Sequence, residues 1–554
     1  MDFNNIIYMN KMILILFLFF INDVAFANLD SVAVDDFQCP AWLSNKSSLP
    51  ECPDVTNNSG QNILVPETYP AAAVVVSDRG VQGNDKGFTR DVVMKALKNS
   101  GERPPLMILP VNDETFESVK KYIDDSSATE SQKKLWKSVL LKVPTRGYTW
   151  QQDYMQSFVN PKTGQLVMSE VQGYGRHGDS YNKIIQELQK CNIVSGPLLT
   201  NERLQVGHMG GNIETLPSGI CMLGDDHFEG NQWEEYVKQV CGGASPDKII
   251  KAPTSWLNVG HTDEIIKVIR NKNKPAPCDF TVAVASPRKA LQLLKEFSSD
   301  NFLDFTNGRG GTPQELSLRR SNEYRGLRQM CSKRLQQQQF RQKENRSSPG
   351  KAVSKLFNLA FLDLAYAGVE LANIRGPEGG EPSDCNTISN AMAHFLFTQD
   401  EELKKYNLLV QEKLDALKDD VQKKLKSKNP SCDVDILELP DLFFGGRPVQ
   451  KLKRKFSQMS DPEKRLVDTR FGRDSNSATE YELPSGMGLS VLPNPTNAIS
   501  INDTIISPDP SNAAFKRYMS EQYKKRGLIP EYVDTFDYAH QGAGNLPCLT
   551  KQRP

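Results

Sequence analysis

The sequence predicts an α/β fold. Short apolar runs of strand length alternate with longer segments whose apolar residues recur at helical spacing. The segments richest in chemically active side chains fall in the loops between them. A third observation narrows the classes: 67 basic and 67 acidic side chains balance within 554 residues, with an apolar share of 38%. That suffices for a large core, in one large or two to three ordinary domains, and leaves no net field to attract nucleic acid or an anionic membrane.

The N-terminus reads as an address. Lys11 precedes an apolar run over 12–21, and Ala25-Phe26-Ala27 supplies a small-x-small cleavage pattern. The run is too short for an ordinary membrane-spanning helix. Residues 1–27 therefore read as a secretory signal peptide with Asn28 as the mature start, an uncleaved anchor being the other reading. The expectation is a secreted or periplasmic protein with no stable membrane insertion after cleavage. No cysteine follows the cleavage site, which argues against a lipoprotein anchor. Residues 28–68 are polar and loop-like.

The α/β rhythm then begins. Residues 71–76 read as a buried strand, 91–99 as a helix, 105–111 as a strand and 115–123 as a helix. Strands are expected at 139–143 and 166–171, around the segment 148–158, and a helix at 181–190. Residues 212–223 read as a hairpin turned at Pro217-Ser218-Gly219. Strands at 248–252, 265–269 and 280–285 and a helix at 288–297 continue the pattern, which then breaks. Between Arg309 and Lys351 eleven basic residues face three acidic ones, with four glutamines in a row. This basic insertion, about 307–351, reads as a solvated segment. Beyond it, 400–426 is a long amphipathic helix with Leu403, Val410, Leu414, Leu417, Val421 and Leu425 on one side. A helix at 512–525 and a strand at 531–538 lead into the tail.

Ten cysteines suit an exported chain that can form disulfides. Cys39 and Cys52, close together in a Pro/Ser/Asn-rich segment, suit a local disulfide. No CxxC occurs, which argues against a structural zinc site, and the six histidines are dispersed with no HExxH. There is no phosphate-binding loop of the G-x-x-x-x-G-K-[ST] type.

Four segments could carry chemistry: Tyr148-Thr-Trp-Gln-Gln-Asp153, Gly210-Gly-Asn-Ile-Glu214, Trp256-Leu-Asn-Val-Gly-His-Thr-Asp-Glu264 and Gly544-Asn-Leu-Pro-Cys548. Each alone has a plain reading. Cys548 could be a staple for the tail, and Gly-His-Thr-Asp a turn whose aspartate caps the next helix. Together they suit a guanidinium substrate, which is planar, permanently charged and presents five N–H donors. Asp153 and Asp263 could grip its two edges bidentately. A cysteine nucleophile would divide attack on the delocalised carbon into two easier steps. If His261 and Asp263 lie in an extended segment, their side chains share a face.

These segments, in this order, resemble the protein-arginine deiminases. Trp150-Gln-Gln-Asp153 is similar to the family's tryptophan-x-glutamine-aspartate segment, and Val259-Gly-His-Thr-Asp-Glu264 to its Gly-His-x-Asp-Glu motif. Ala283-Val-Ala-Ser-Pro-Arg288, Ile436-Leu-Glu-Leu-Pro-Asp-Leu-Phe443 and the tail through Cys548 also resemble family segments. The resemblance covers 69–554 as one catalytic domain. It implies a five-bladed α/β propeller (the pentein fold) with pseudo-fivefold ββαβ units. It also implies hydrolysis of peptide-bound arginine to citrulline and ammonia. Cys548 would be the nucleophile, His261 the general acid/base, and Asp153 and Asp263 the guanidinium ligands. Trp150 and Val259 would line the channel for the arginine stem, and Arg176 would hold the substrate backbone.

Three departures bear on this. The polar segment 28–68 cannot hold the two immunoglobulin-like domains of the animal enzymes. Those enzymes also use calcium: Gln152, Ile213 and Glu214 match residues around their calcium nearest the site, whereas Gln156 stands where an acid is expected and Gly210 replaces an aromatic. No cofactor is required with certainty; calcium is admitted through Gln152 and Glu214. The sequence around Cys548 also resembles that of agmatine deiminases. A deiminase of a free small guanidine, or an exported binding protein with this fold, therefore stays beside the expected partner, an arginine-containing protein or peptide. The oligomeric state is open.

Overall fold

The computed structural model describes residues 39–40, 42, 63–64, 68, 71–77, 86–143, 155–159, 166–170, 178–194, 197–198, 210–225, 233–234, 237, 241, 246–257, 260–304, 387–444, 452–455, 480–483, 488–535 and 550–553. The expected signal peptide, most of the polar segment 28–68 and the basic insertion lie outside the described residues.

In chain order come β1 (Ile63–Leu64), β2 (Ala73–Val76), α1 (Lys86–Lys98), β3 (Leu106–Leu109), α2 (Asp113–Asp124), α3 (Glu130–Ser138) and β4 (Leu140–Lys142). Next are β5 (Met155–Val159), β6 (Leu166–Glu170), α4 (Gly178–Lys190), β7 (Pro197–Leu198), β8 (Ile213–Leu216), β9 (Ile220–Gly224) and β10 (Ile249–Ala252). They are followed by β11 (Ile266–Arg270), β12 (Phe280–Ser286), α5 (Pro287–Glu296), β13 (Asn301–Asp304), β14 (Thr387–Ser389), α6 (Asn390–Gln399), α7 (Glu401–Lys428) and β15 (Asp435–Pro440). The chain ends with β16 (Phe443–Phe444), β17 (Leu452–Lys455), β18 (Glu480–Leu483), β19 (Leu489–Ser490), β20 (Ile499–Ile501), β21 (Thr504–Pro508), α8 (Ala513–Lys524), β22 (Ile529–Val533) and β23 (Thr550–Arg553).

This is a mixed α/β architecture of small sheets. Among the described residues, five sheets hold three or four strands: β23-β2-β3-β4, β1-β5-β6-β7, β10-β9-β8, β11-β12-β15 and β20-β21-β22. One pairing recurs in all of them, an antiparallel pair joined on one side by a parallel strand. The antiparallel pairs are β23/β2, β5/β6, β8/β9, β11/β12 and β20/β21. The parallel partners are β3, β7, β10, β15 and β22. The pair β23/β2 joins the last described strand to the second, with Val76 opposite Thr550.

The strands read as apolar runs because both faces are covered. Along β2, Val74 and Val76 enter one apolar cluster and Ala73 and Val75 another. That is the period-two alternation of a strand between two cores. In β21, Ile506 and Ile505 divide in the same way. Helix starts are set by Asn112, Thr129, Ser286, Ser389, Asp400 and Asn512, each accepting the backbone N–H three residues on. The expected stripe of α7 is buried throughout, from Leu403 to Leu425. Two polar residues interrupt it for a reason. Asn407 accepts the Phe443 N–H at 3.0 Å and donates to the Phe443 carbonyl at 2.9 Å. Gln411 accepts the Arg288 N–H at the start of α5. No described helix is long and apolar enough to cross a membrane.

Two expectations change. Cys39 pairs with Cys191, at a sequence separation of 152, and not with Cys52; the partner is brought in by α4 and the strands beneath it. Cys221–Cys241 and Cys278–Cys432 are also disulfides. The strand expected at 531–538 is β22, which starts earlier because Ile529 can pair with Thr504. Two helices were not anticipated. In α3 only Trp136 is buried, so its apolar signal is thin, and α6 is apolar nearly all round.

The buried stripe of α7 gives a direct test. Leu414→Ala should lower the unfolding free energy by about 2–5 kcal/mol. Leu409→Ala, at a position 48% exposed, should change it by under about 0.5 kcal/mol. Equilibrium denaturation measures the contrast; equal losses would contradict the orientation of α7.

Candidate active site

The site is built on two short turns, each entering a sheet. Gly260 adopts a φ of +82°, a left-handed conformation that favours glycine. His261 is then extended, and Thr262–Glu264 close one turn of 3-10 helix before β11. The expected extended segment from His261 to Asp263 is therefore not formed, and strand alternation does not apply to it. The turn exists because Glu264 folds back to accept the His261 backbone N–H at 3.0 Å. What His261 and Asp263 share is burial, with 4% and 0% exposure. Glu264, not Asp263, plays the capping role, and the element that follows is a strand.

The second turn is Gly210–Asn212, leading into β8. A Cβ on Gly211 would lie 2.4 Å from His261 Nδ1, so the backbone here runs directly against the imidazole. The Thr262 hydroxyl donates to the Gly211 carbonyl at 3.1 Å. Two of the four segments singled out in the sequence are thus in contact.

A third segment, missed in the sequence, holds the first turn from the other side. Residues 491–500 are all buried. Asn494 Nδ2 donates to the Glu264 carbonyl, and the Thr496 hydroxyl reaches the Asp263 carbonyl at 2.9 Å and Asn494 Oδ1 at 2.6 Å. The neighbouring Asn497 is 0% exposed, and neither its amide oxygen nor its nitrogen has a hydrogen-bond partner among the described residues. A buried, unspent carboxamide is costly unless something else satisfies it. The only hint in the sequence was a Pro/Asn/Thr cluster that reads equally well as a linker.

Trp150, Gln152, Asp153, Arg176, Val259 and Cys548 lie outside the described residues. Their places in the chain are still informative. Each of the five recurring pairs has a first strand: β5, β8, β11, β20 and β23. In sequence, Asp153 comes just before β5, Gly211 and Asn212 before β8, His261 and Asp263 before β11, Asn497 before β20, and Cys548 before β23. In each sheet that end of the first strand lies at the carboxyl ends of the strand antiparallel to it and the parallel strand beyond. This is the edge at which α/β sheets commonly carry ligands.

Glu214 does not fit the calcium expectation. Its carboxylate faces Lys267 Nζ at 3.4 Å, and its Oε1 accepts the Val268 N–H at 3.1 Å. The pair is buried, with 1% and 3% side-chain exposure. Among the described residues no group of three or more His, Cys, Asp or Glu side chains could hold a metal ion.

Behind the turn, Trp256 packs edge-on against Phe443 with centroids 5.1 Å apart. Asp441 is also buried there. Its Oδ1 accepts the Ser490 hydroxyl at 2.5 Å and the Leu442 N–H at 2.8 Å. Burial first, and the negative charge of Glu264 last, push its carboxyl well above the usual range. The folded protein therefore holds Asp441 neutral, while the unfolded chain ionises it above about pH 4. Native stability from this group is lost as pH rises from there toward the folded pKa. Asp441→Asn should accordingly gain stability relative to the parent as pH rises above about 4, by up to about 1.4 kcal/mol per pH unit. Denaturant melts across that range measure it; a difference independent of pH would contradict a neutral Asp441.

No family model matches the chain, and no curated protein matches it. Among solved structures it is similar to an agmatine deiminase of C. jejuni, at 12% identity and a TM-score of 0.41, over 89% of this chain and 96% of that one. It is also similar to an agmatine deiminase of Enterococcus faecalis, at 11% identity and a TM-score of 0.40, over 90% and 96%. At these scores no family assignment follows.

Proposed function

We propose that the chain is a guanidine deiminase of the protein-arginine type, an amidine hydrolase that converts peptide-bound arginine to citrulline and ammonia. One observation carries the reading: the five recurring strand pairs each begin just after a residue suited to this chemistry, and the described ones converge on a buried His261–Asp263 turn. The recurring pair-plus-parallel-strand unit also supports five blades of an α/β propeller, closed by β23 against β2.

In this mechanism Asp153 and Asp263 hold the two edges of the guanidinium and Trp150 and Val259 flank the arginine stem. Arg176 holds the substrate backbone. The Cys548 thiolate attacks the central carbon. A C–N bond breaks, and the leaving nitrogen departs as ammonia with a proton from His261. His261 then takes a proton from water, which attacks the same carbon. The C–S bond breaks, and citrulline and the thiol are released. Asn497, next in the chain to the Thr496 that holds the Asp263 carbonyl, is assigned to the same site. The signal-like N-terminus and three disulfides support export to an oxidising compartment.

The test is ammonia and citrulline release from an N-acylated arginine amide, free arginine and agmatine. The peptide-like substrate should be preferred. Cys548→Ala should abolish turnover with the fold intact, and His261→Ala should cost about 10²–10⁴-fold. Gly211→Ala, which drives a methyl into the imidazole, should lower kcat. Undiminished release by Cys548→Ala would sink the mechanism; preference for agmatine would move the substrate to a free guanidine.

A further inference from the structure

The Glu214–Lys267 pair stands where the sequence resemblance placed a divalent cation. Each partner lies on a strand that leaves one of the two site turns. Glu214 is in β8, which follows the Gly210–Asn212 turn, and Lys267 is in β11, which follows the Thr262–Glu264 turn. The pair joins these strands just beyond the contact between Gly211 and His261. Lysine is almost never this buried without a partner. Here it is flanked in sequence by Ile266 and Val268, both in the apolar cluster under the β8/β9 hairpin.

A calcium ion needs six to eight oxygen ligands and gains most of its affinity from carboxylates. Glu214 has one oxygen on the Val268 N–H and the other toward a fixed ammonium. A divalent ion placed against it would meet the like charge of Lys267 in a site that water does not screen. We propose that Lys267 is a resident counter-ion, supplying from within the chain the positive charge that the resemblance assigns to calcium. It holds the two turns in register with no divalent ion. Lys267 is a positioning residue: it acts through Glu214 on the strands that carry Gly211 and His261. The proposal rests on reading those turns as the active site.

The experiment melts the full chain in ~1 mM calcium and in chelator, near the range that occupies extracellular calcium sites. The parent and Lys267→Arg, which keeps the cation, should melt at the same temperature in both and release ammonia equally in both. Lys267→Met, which removes the cation facing the buried Glu214 carboxylate, should melt several degrees lower. Glu214→Gln/Lys267→Met, which removes both charges of the pair, should melt closer to the parent. If Lys267→Met does not fold, recovery of a folded double variant still carries the point. A rise in the parent's melting temperature with calcium, abolished by Glu214→Gln, would overturn the proposal. So would a double variant no better than Lys267→Met. The melts do not depend on turnover, so they separate this proposal from the deiminase reading, which ammonia release judges.

Discussion

Between Gly211 and His261 there is no room for a side-chain carbon, and much of the described site follows from that closeness. The backbone of one turn is pressed onto the imidazole of another, so both turns must be held from outside. Four devices do it. Glu264 folds back onto the His261 N–H, and Thr262 reaches the Gly211 carbonyl. Asn494 and Thr496 take the carbonyls of Glu264 and Asp263, and Glu214 meets Lys267 between the strands that follow. All of these polar contacts are buried or nearly so, where an unmet partner is expensive. The imidazole is therefore set in place by the fold itself.

The sheets give the proposed mechanism its means of drawing on residues so distant in the chain. A strand pair with a parallel third strand is a small unit, and each repeat presents an equivalent end. In every repeat that end follows, in sequence, a segment on which the proposed mechanism draws: an aspartate, a glycine turn, a histidine with an aspartate, an asparagine, and a cysteine. The last of these depends on β23 pairing with β2, because the strand that anchors the tail belongs to the first sheet. The disulfides reinforce separate parts of this scaffold. Cys278–Cys432, for example, ties the start of β12 to the end of α7.

Much of this was legible in the sequence. The α7 stripe, the hairpin turned at Pro217–Gly219 and the strands from β8 to β12 follow directly from apolar periodicity. What escaped did so for identifiable reasons. The Cys39–Cys191 bond joins residues 152 apart, which spacing cannot reveal, so the nearer Cys52 looked the better partner. The His261–Asp263 segment read either as a turn or as extended, and what the sequence did not show is the side chain, Glu264, that reaches backward to make it a turn. Nothing in the sequence singled out Lys267, a single lysine within a short apolar strand, yet it points to a buried carboxylate on another strand. Asn497 sits in a Pro/Asn/Thr cluster whose composition says loop, although every residue from 491 to 500 is buried.

In the proposed mechanism His261, Asp263 and Cys548 address one planar amidinium group. An amidine carrying an α-halogen carries the same planar cation and would alkylate a nucleophile held beside it. Intact-mass measurement followed by peptide mapping should show a single adduct on Cys548, slowed by an N-acylated arginine amide and by Asp263→Asn. An unlabelled Cys548, or a Cys548 recovered in a disulfide from active protein, would contradict the account.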